Sequence, residues 1–340
     1  VDKIHEDSMK RRDFLELMQM ASLGVGLSII SPFKYSMAAI KNKTTGFVYD
    51  DVFLQHWLKE GHPESPDRLR SIMKLMQDSG LLSQLTRIEL KSDILADLAR
   101  IHTAAHVHAL KTEYGKSNDV ALAVVAGILA ATDEVCSGSL RNAFCVTRPP
   151  GHHARNTGRV EGFCFYNGVA VAARYAQEKY GLKKILIVDW DYHHGNGTET
   201  FFYSDPSVLY FSTHDYFAYP GTGNPAKIGE GAGKGLNINV HLDCNSTDKD
   251  IISAFTEKLL PAAHRFKPDL ILISAGFDSR QDDLLGCFDI SDNGYKKITK
   301  IVMQLAEQYC NGRIVSVLEG GYNLNGLASA VKIHVETLKG

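Results

Sequence analysis

Short β-branched or apolar runs that end in polar clusters recur along the chain. Ala143–Val146 leads into Thr147 and Arg148, Ile185–Val188 into Asp189, Leu270–Ile273 into Ser274, and Ile314–Leu318 into Glu319. Such stretches read as strands buried on both faces, as in a parallel sheet. Helical spacing covers 167–180, 248–266 and 291–310, with 327–338 closing the chain and 66–79, 104–114 and 120–135 ahead of the first run. Ser65 and Pro66 suit an N-cap and a first turn, and Gly80, Gly115, Gly181 and Gly312 stand at helix ends. Strands alternating with helices predict an α/β fold with a mostly parallel sheet, which binds ligands beyond the carboxyl ends of its strands. The unusual polar clusters all fall there, so one site assembled from several strand-following loops is expected.

The N-terminal pattern is different. Lys10, Arg11 and Arg12 precede Phe14-Leu15, a moderately apolar run from Leu17 to Phe33, and the small residues of Ser36–Ala39. A basic segment, an apolar segment and a small-residue cleavage site make residues 1–39 an export signal of the twin-arginine type, with a bacterial periplasm as destination. A mature amphipathic helix in a cytoplasmic protein is the alternative. From there on no linker, repeat or compositional shift appears, so residues 40–340 are expected to form a single domain.

Composition narrows the function. With 37 Lys+Arg against 39 Asp+Glu the net charge is −2, which leaves no cationic field for nucleic acid. The apolar run near the N-terminus is short for a membrane span, so no integral span is expected in the mature protein. Cys136, Cys145, Cys164, Cys244, Cys287 and Cys310 include no CxxC pair and read as buried thiols. No heptad marks an oligomer. Of 14 histidines, four form the adjacent pairs His152-His153 and His193-His194.

Asp189, Asp191 and His193 leave the second apolar run on one face of an extended segment, so a cation could be gripped by two of them at once. Imidazole nitrogen with carboxylate oxygen suits zinc, and a catalytic zinc keeps three protein ligands and one open position. Asp278, after the next strand, leaves the same sheet edge and is the natural third ligand. His152 and His153, held in a loop stiffened by Pro149 and Pro150, suit acid–base work. Gly320 and Gly321 allow a close backbone approach and leave Tyr322 free to turn a phenol towards a metal, where it would serve as an oxyanion donor.

These motifs, in this order, resemble the zinc-dependent histone deacetylase family, on the side called class II and its bacterial relatives. The resemblance runs from about Gly46 to Gly340 and includes His62–Arg68 and Glu161–Phe165. It implies an arginase/deacetylase fold: an eight-stranded parallel sheet between helices. It implies hydrolysis of the amide of N-acetyl-lysine or a related acyl-lysine, on a peptide, a protein or a small acylated amine. Asp191, His193 and Asp278 match the ligands of one catalytic Zn2+, His153 the general base and acid, and His152 its electrostatic companion oriented by Asp189. Tyr322 matches the residue that polarises the acyl oxygen, Phe163 and Tyr219 the aromatic pair of the acyl-lysine tunnel, and Gly151 the carbonyl that accepts the scissile amide hydrogen. Two structural K+ sites are implied as well. Asp189, Asp191, His193, Ser212 and Thr213 match the inner one, and Phe202, Asp205 and Val208 the outer.

Asn196 stands where many relatives carry an aspartate behind the general base, which predicts a lower pKa for His153 than a carboxylate would give. Leu285 occupies the gatekeeper position where polyamine deacetylases place a glutamate, and an apolar side chain cannot attract a second ammonium. Between the helices ending near Tyr114 and starting near Val120 about five residues remain for a loop that in relatives carries a rim carboxylate. Asp119 or a shortened, more open rim both fit. Against the deacylase stand an acetylpolyamine deacetylase, a non-catalytic acyl-lysine-binding paralogue and a manganese ureohydrolase; the last would want carboxylates where His194, Gly195 and Asn196 stand.

Overall fold

Eight strands, all paired in parallel, form one sheet in the computed structural model, which describes residues 44–340. The signal-like segment 1–39 lies outside the described residues. In chain order the elements are β1 (Thr45–Val48), α1 (Asp67–Asp78), β2 (Thr86–Ile88), α2 (Leu95–Leu98), α3 (Ala104–Tyr114), α4 (Lys116–Cys136), β3 (Asn142–Cys145), α5 (Gly168–Tyr180) and β4 (Ile185–Asp189). There follow α6 (Asn196–Phe202), β5 (Val208–His214), β6 (Asn237–His241), α7 (Asp248–Ala254), α8 (Leu260–Phe266), β7 (Leu270–Ala275), α9 (Asp292–Tyr309), β8 (Ile314–Leu318) and α10 (Leu324–Lys339). The strand order is β2-β1-β3-β8-β7-β4-β5-β6. The apolar runs of the sequence therefore become β3, β8, β7 and β4, four neighbours at the sheet centre, and each is buried along its whole length. A strand covered on both faces is mostly apolar, and these are, with Asn142, Asp189, Ser274 and Ser316 as their buried polar positions.

Three local expectations change. α1 starts at Asp67 without a side-chain cap, and Ser65 contributes its carbonyl, which accepts the Arg68 N–H at 3.2 Å. The helix expected over 248–266 contains a π-helical turn, Phe255–Leu259, between α7 and α8. Pro261 explains it: the ring has no N–H to donate and would crowd the carbonyl of Glu257 in a regular helix. The cysteines are not all buried thiols, since Cys244 and Cys287 are joined as a disulfide with Cα atoms 5.1 Å apart. They stand 43 residues apart in the loops after β6 and β7, so only the fold brings them together. Cys136, Cys145, Cys164 and Cys310 are buried and free.

Two buried histidines make the fold acid-sensitive. His102 Nε2 accepts the Asn167 N–H at 2.9 Å, and His334 lies between the hydroxyls of Thr299 (2.8 Å) and Ser316 (2.9 Å). Burial lowers both from about 6.5 to about 3. A depressed folded-state pKa contributes stability that is complete above the unfolded value and is lost as pH falls below it. Each of the two therefore contributes a loss of unfolding free energy of about 1.4 kcal/mol per pH unit below about pH 6.5 and none above it. His334→Gln is expected to lessen the pH dependence of the urea-derived unfolding free energy between about pH 6.5 and 5 by about one proton, and a slope equal to the parent's there would contradict this.

Candidate active site

The loops that follow β3, β8, β7 and β4 converge at one sheet edge. From β4 come Asp189, Asp191 and His193; from β7, Asp278; from β3, His152 and His153; from β8, Glu319 to Tyr322. Ligand atoms of Asp191, His193 and Asp278 all lie within 4.8 Å of one another. His193 Nδ1 is 3.2 Å from Asp191 Oδ1 and 3.0 Å from Asp278 Oδ2. Backbone amides hold the carboxylates: Gly320 N–H donates to Asp191 Oδ2 at 2.8 Å and Tyr192 N–H to Asp278 Oδ1 at 2.9 Å. Glycine is required around them, because a Cβ on Gly276 or on Gly320 would lie 2.2 Å from the oxygens of Asp191 or Asp278.

The electrostatics of this trio call for a cation. Burial and the neighbouring Asp191 push Asp278 up to about 7. Burial opposes a charge on His193, yet its bonds to Asp191 and Asp278 raise it to about 10. Two carboxylates buried together with one imidazole hold more negative charge than they can neutralise among themselves, and a divalent ion would relieve it.

Beside the trio, His152 and His153 lie with ring centres 4.0 Å apart and their planes tilted by 45°. His152 Nδ1 meets Asp189 Oδ2 at 3.1 Å and His153 Nδ1 meets Asn196 Oδ1 at 2.8 Å. Burial opposes charge on His152, but Asp191 and Asp189 outweigh it and hold its pKa well above the usual value. Burial, reinforced by His152, holds His153 well below. Tyr322 is buried, and burial raises its phenol well above 10. A cavity of about 740 Å³ opens onto these groups. Phe163, Tyr219, Leu285, Leu58, Tyr114 and Val160 are among its walls. The Tyr219 ring stands edge-on to His153 at 5.0 Å, and Phe163 to Tyr322 at 6.3 Å.

Other expected residues fall around this centre. Gly151 O already accepts the Ala154 N–H at 3.0 Å. Asp189 lies opposite Ser212 in the β4–β5 register, Ser212 Oγ meets His214 Nδ1 at 2.8 Å, and the Thr213 hydroxyl is buried without a partner. Phe202, Asp205 and Val208 follow one another from α6 into β5, with Asp205 N–H on Phe202 O at 3.0 Å. Asp119 is exposed in the first turn of α4 and does not line the cavity. Only Gly115 separates α3 from α4, so the rim loop is shorter than the sequence suggests. Among the described residues, Asp191 is the only carboxylate in the cavity wall.

Several supporting residues carry no role in the sequence reading. Glu319 Oε2 accepts the N–H groups of Gly151 (2.6 Å) and His152 (3.2 Å), and its Oε1 accepts the Ser274 hydroxyl at 3.1 Å. Arg68 Nε donates to Gly321 O at 2.6 Å, and its guanidinium lies over the Tyr322 ring at 5.0 Å. Glu64 binds Arg148 through both oxygens at 2.7 Å. The one available signal was the spacing of Glu64 and Arg68, one helical turn apart inside a proline-flanked motif.

The Histone deacetylase domain matches residues 62–338. Histone deacetylase 15 of Arabidopsis thaliana is 38% identical over 331 residues, 90% of this chain and 59% of that protein, so this chain spans little more than half of that relative's length. Histone deacetylase 14, chloroplastic, from the same plant is 36% identical over 313 residues, 83% of this chain and 74% of that protein. The crystal structure of the HDA15 HD domain matches with a TM-score of 0.81 at 36% identity, over 87% of this chain and 88% of that one. The sheet is thus that of the arginase/deacetylase fold. The same relatives overturn the periplasmic expectation, for they are plant proteins and one is named chloroplastic. A basic cluster ahead of an apolar run is common to several kinds of leader and to ordinary helices, so the pattern does not choose a compartment. By the span of the domain match and by its relatives, the chain belongs to the histone deacetylase family.

Proposed function

We propose that the chain hydrolyses the amide of N-acyl-lysine in a zinc-dependent reaction, releasing a carboxylate and the free amine. The observation that carries this reading is the meeting, at the end of one largely apolar cavity, of Asp191 and His193 with the His152–His153 pair and the Tyr322 phenol, with the Asp278 donor buried within reach of Asp191 and His193. Two carboxylates and an imidazole are a zinc-type donor set. A bound zinc supplies Lewis-acid polarisation of the acyl carbonyl and a more acidic water.

The side chains do the rest. An amide oxygen only accepts, so His153 Nδ1 carries the hydrogen towards Asn196 and Nε2 is left as the base. His153, kept neutral by burial and by His152, takes the proton of the attacking water and returns it to the leaving amine. His152, bonded through Nδ1 to Asp189, is the electrostatic companion that faces the negative charge developing beside it. Tyr322, kept protonated by burial, donates to the oxyanion. Phe163 and Tyr219 flank the lysine stem, Leu285 meets the groups at the mouth, and the second lone pair of Gly151 O accepts the scissile N–H. Two structural K+ ions would be held by Asp189, Asp191, His193, Ser212 and Thr213 and by Phe202, Asp205 and Val208. A polyamine substrate is disfavoured by the mouth, which offers Leu285 and no carboxylate to a second ammonium.

Hydrolysis of acetyl-, trifluoroacetyl- and longer acyl-lysine by the full chain, with acetylated polyamines in parallel, tests this. Acyl-lysine turnover that a chelator removes and added zinc restores is expected. Turnover of polyamines alone would replace the substrate, and silence on all of them with zinc bound would favour a binding protein.

A further inference from the structure

One carboxylate joins the loop that carries Leu285 to the loop that carries Tyr322. Asp283 Oδ2 accepts the N–H of Tyr322 at 2.6 Å and of Asn323 at 3.1 Å, while its Oδ1 accepts the N–H of Leu285 at 2.9 Å. Alongside, Asn323 Nδ2 donates to Asp282 O at 2.9 Å. Both oxygens of Asp283 are thus in use, one on each loop, and the two residues held by their backbones both line the cavity. The first loop is itself seated against the metal-type trio. A Cβ on Gly286 would fall 1.9 Å from Asp278 O, so the backbone after Leu285 lies directly on that of Asp278.

We propose that Asp283 is a positioning residue that fixes the oxyanion donor Tyr322 and the gatekeeper Leu285 relative to each other, so that catalysis and acyl selectivity respond together. This rests on the roles proposed above for those two side chains. A carboxylate accepting several N–H bonds is a strong and directional tie, and an ångström of misplacement at the reacting atoms is enough to slow a reaction by about 10²-fold.

In the full chain, Asp283→Ala is expected to lower kcat for acetyl-lysine by about 10- to 100-fold and to change the ratio of acetyl to longer-acyl turnover. In a Tyr322→Phe background the same change should lower kcat by less than about twofold, because the hydroxyl it positions is already gone. Asp283→Asn, with one amide oxygen, can serve only one loop and should lose one of the two effects. Amide hydrogen exchange, read without substrate, should quicken at Tyr322 and Leu285 together in Asp283→Ala. An equal kcat loss in both backgrounds, an unchanged acyl ratio, or faster exchange at one loop alone would overturn the proposal. If the parent chain hydrolyses no acyl-lysine, the function proposed above fails while hydrogen exchange still decides whether Asp283 couples the loops.

Discussion

Tyr322→Phe is expected to lower acyl-lysine turnover by about 10²- to 10³-fold, the usual effect of losing one oxyanion donor, while zinc content and KM stay near those of the parent. The substitution removes one hydroxyl and keeps the ring. That ring is fixed by the Arg68 guanidinium at 5.0 Å and by Phe163 at 6.3 Å, contacts that phenylalanine retains. Nor does the change touch the ligand trio, whose nearest tie to this loop is the backbone bond from Gly320 to Asp191. Burial holds the phenol well above 10, so at neutral pH the hydroxyl is a donor and never a phenolate, and its loss is felt only where negative charge develops on the acyl oxygen. The measurement is kcat and KM alongside bound zinc. A kcat within about tenfold of the parent would remove Tyr322 from the oxyanion role.

Much of the candidate site could be read from the sequence because many of its members are close neighbours in the chain. Asp189, Asp191 and His193 leave one strand, and His152 and His153 leave another, so two short motifs hold most of the candidate groups. β3, β4, β7 and β8 were equally legible, since a strand buried on both faces reads as a short, largely apolar run. The remaining strands were not. β2 is a three-residue edge strand with two exposed positions, and β6 alternates Asn237, Ile238, Asn239 and Val240, a pattern that also suits a surface loop. β5 ends in Ser212, Thr213 and His214, polar residues that are buried in the fold although local sequence gives no reason to bury them. What supports the site lay further out of reach. Glu319, Asp283 and the Cys244–Cys287 pair act on residues tens or hundreds of positions away, and only the convergence of strand ends brings them together.

Glu64→Ala is expected to destabilise the chain by about 3–5 kcal/mol, the range found when one partner of a buried ion pair is removed. Glu64 is fully buried between two arginines that are themselves fully buried. Its oxygens take Arg148 Nε and Nη2 at 2.7 Å and Arg68 Nη1 at 3.3 Å, with His56 Nε2 at 3.4 Å. Burial alone would raise its pKa, but His56 and the two guanidinium groups outweigh it and hold the carboxyl well below the usual range. That stability is present above the ordinary carboxylate pKa and is lost as pH falls through the lower folded value. Alanine leaves two guanidinium groups in the interior without their counter-charge, although Arg148 keeps the carbonyls of Phe53 and His56 and Arg68 keeps that of Gly321. Glu64→Gln, which retains an acceptor and drops the charge, should fall between the two. The urea midpoint measures the loss, and a change below about 1 kcal/mol would mean that water or the remaining carbonyls satisfy the arginines unaided. Because Arg68 also steadies Gly321 and the Tyr322 ring, kcat should fall with stability in Glu64→Ala. In Tyr322→Phe, by contrast, kcat falls while the midpoint holds. That contrast separates a group proposed to act on the substrate from the buried charges that keep it in place.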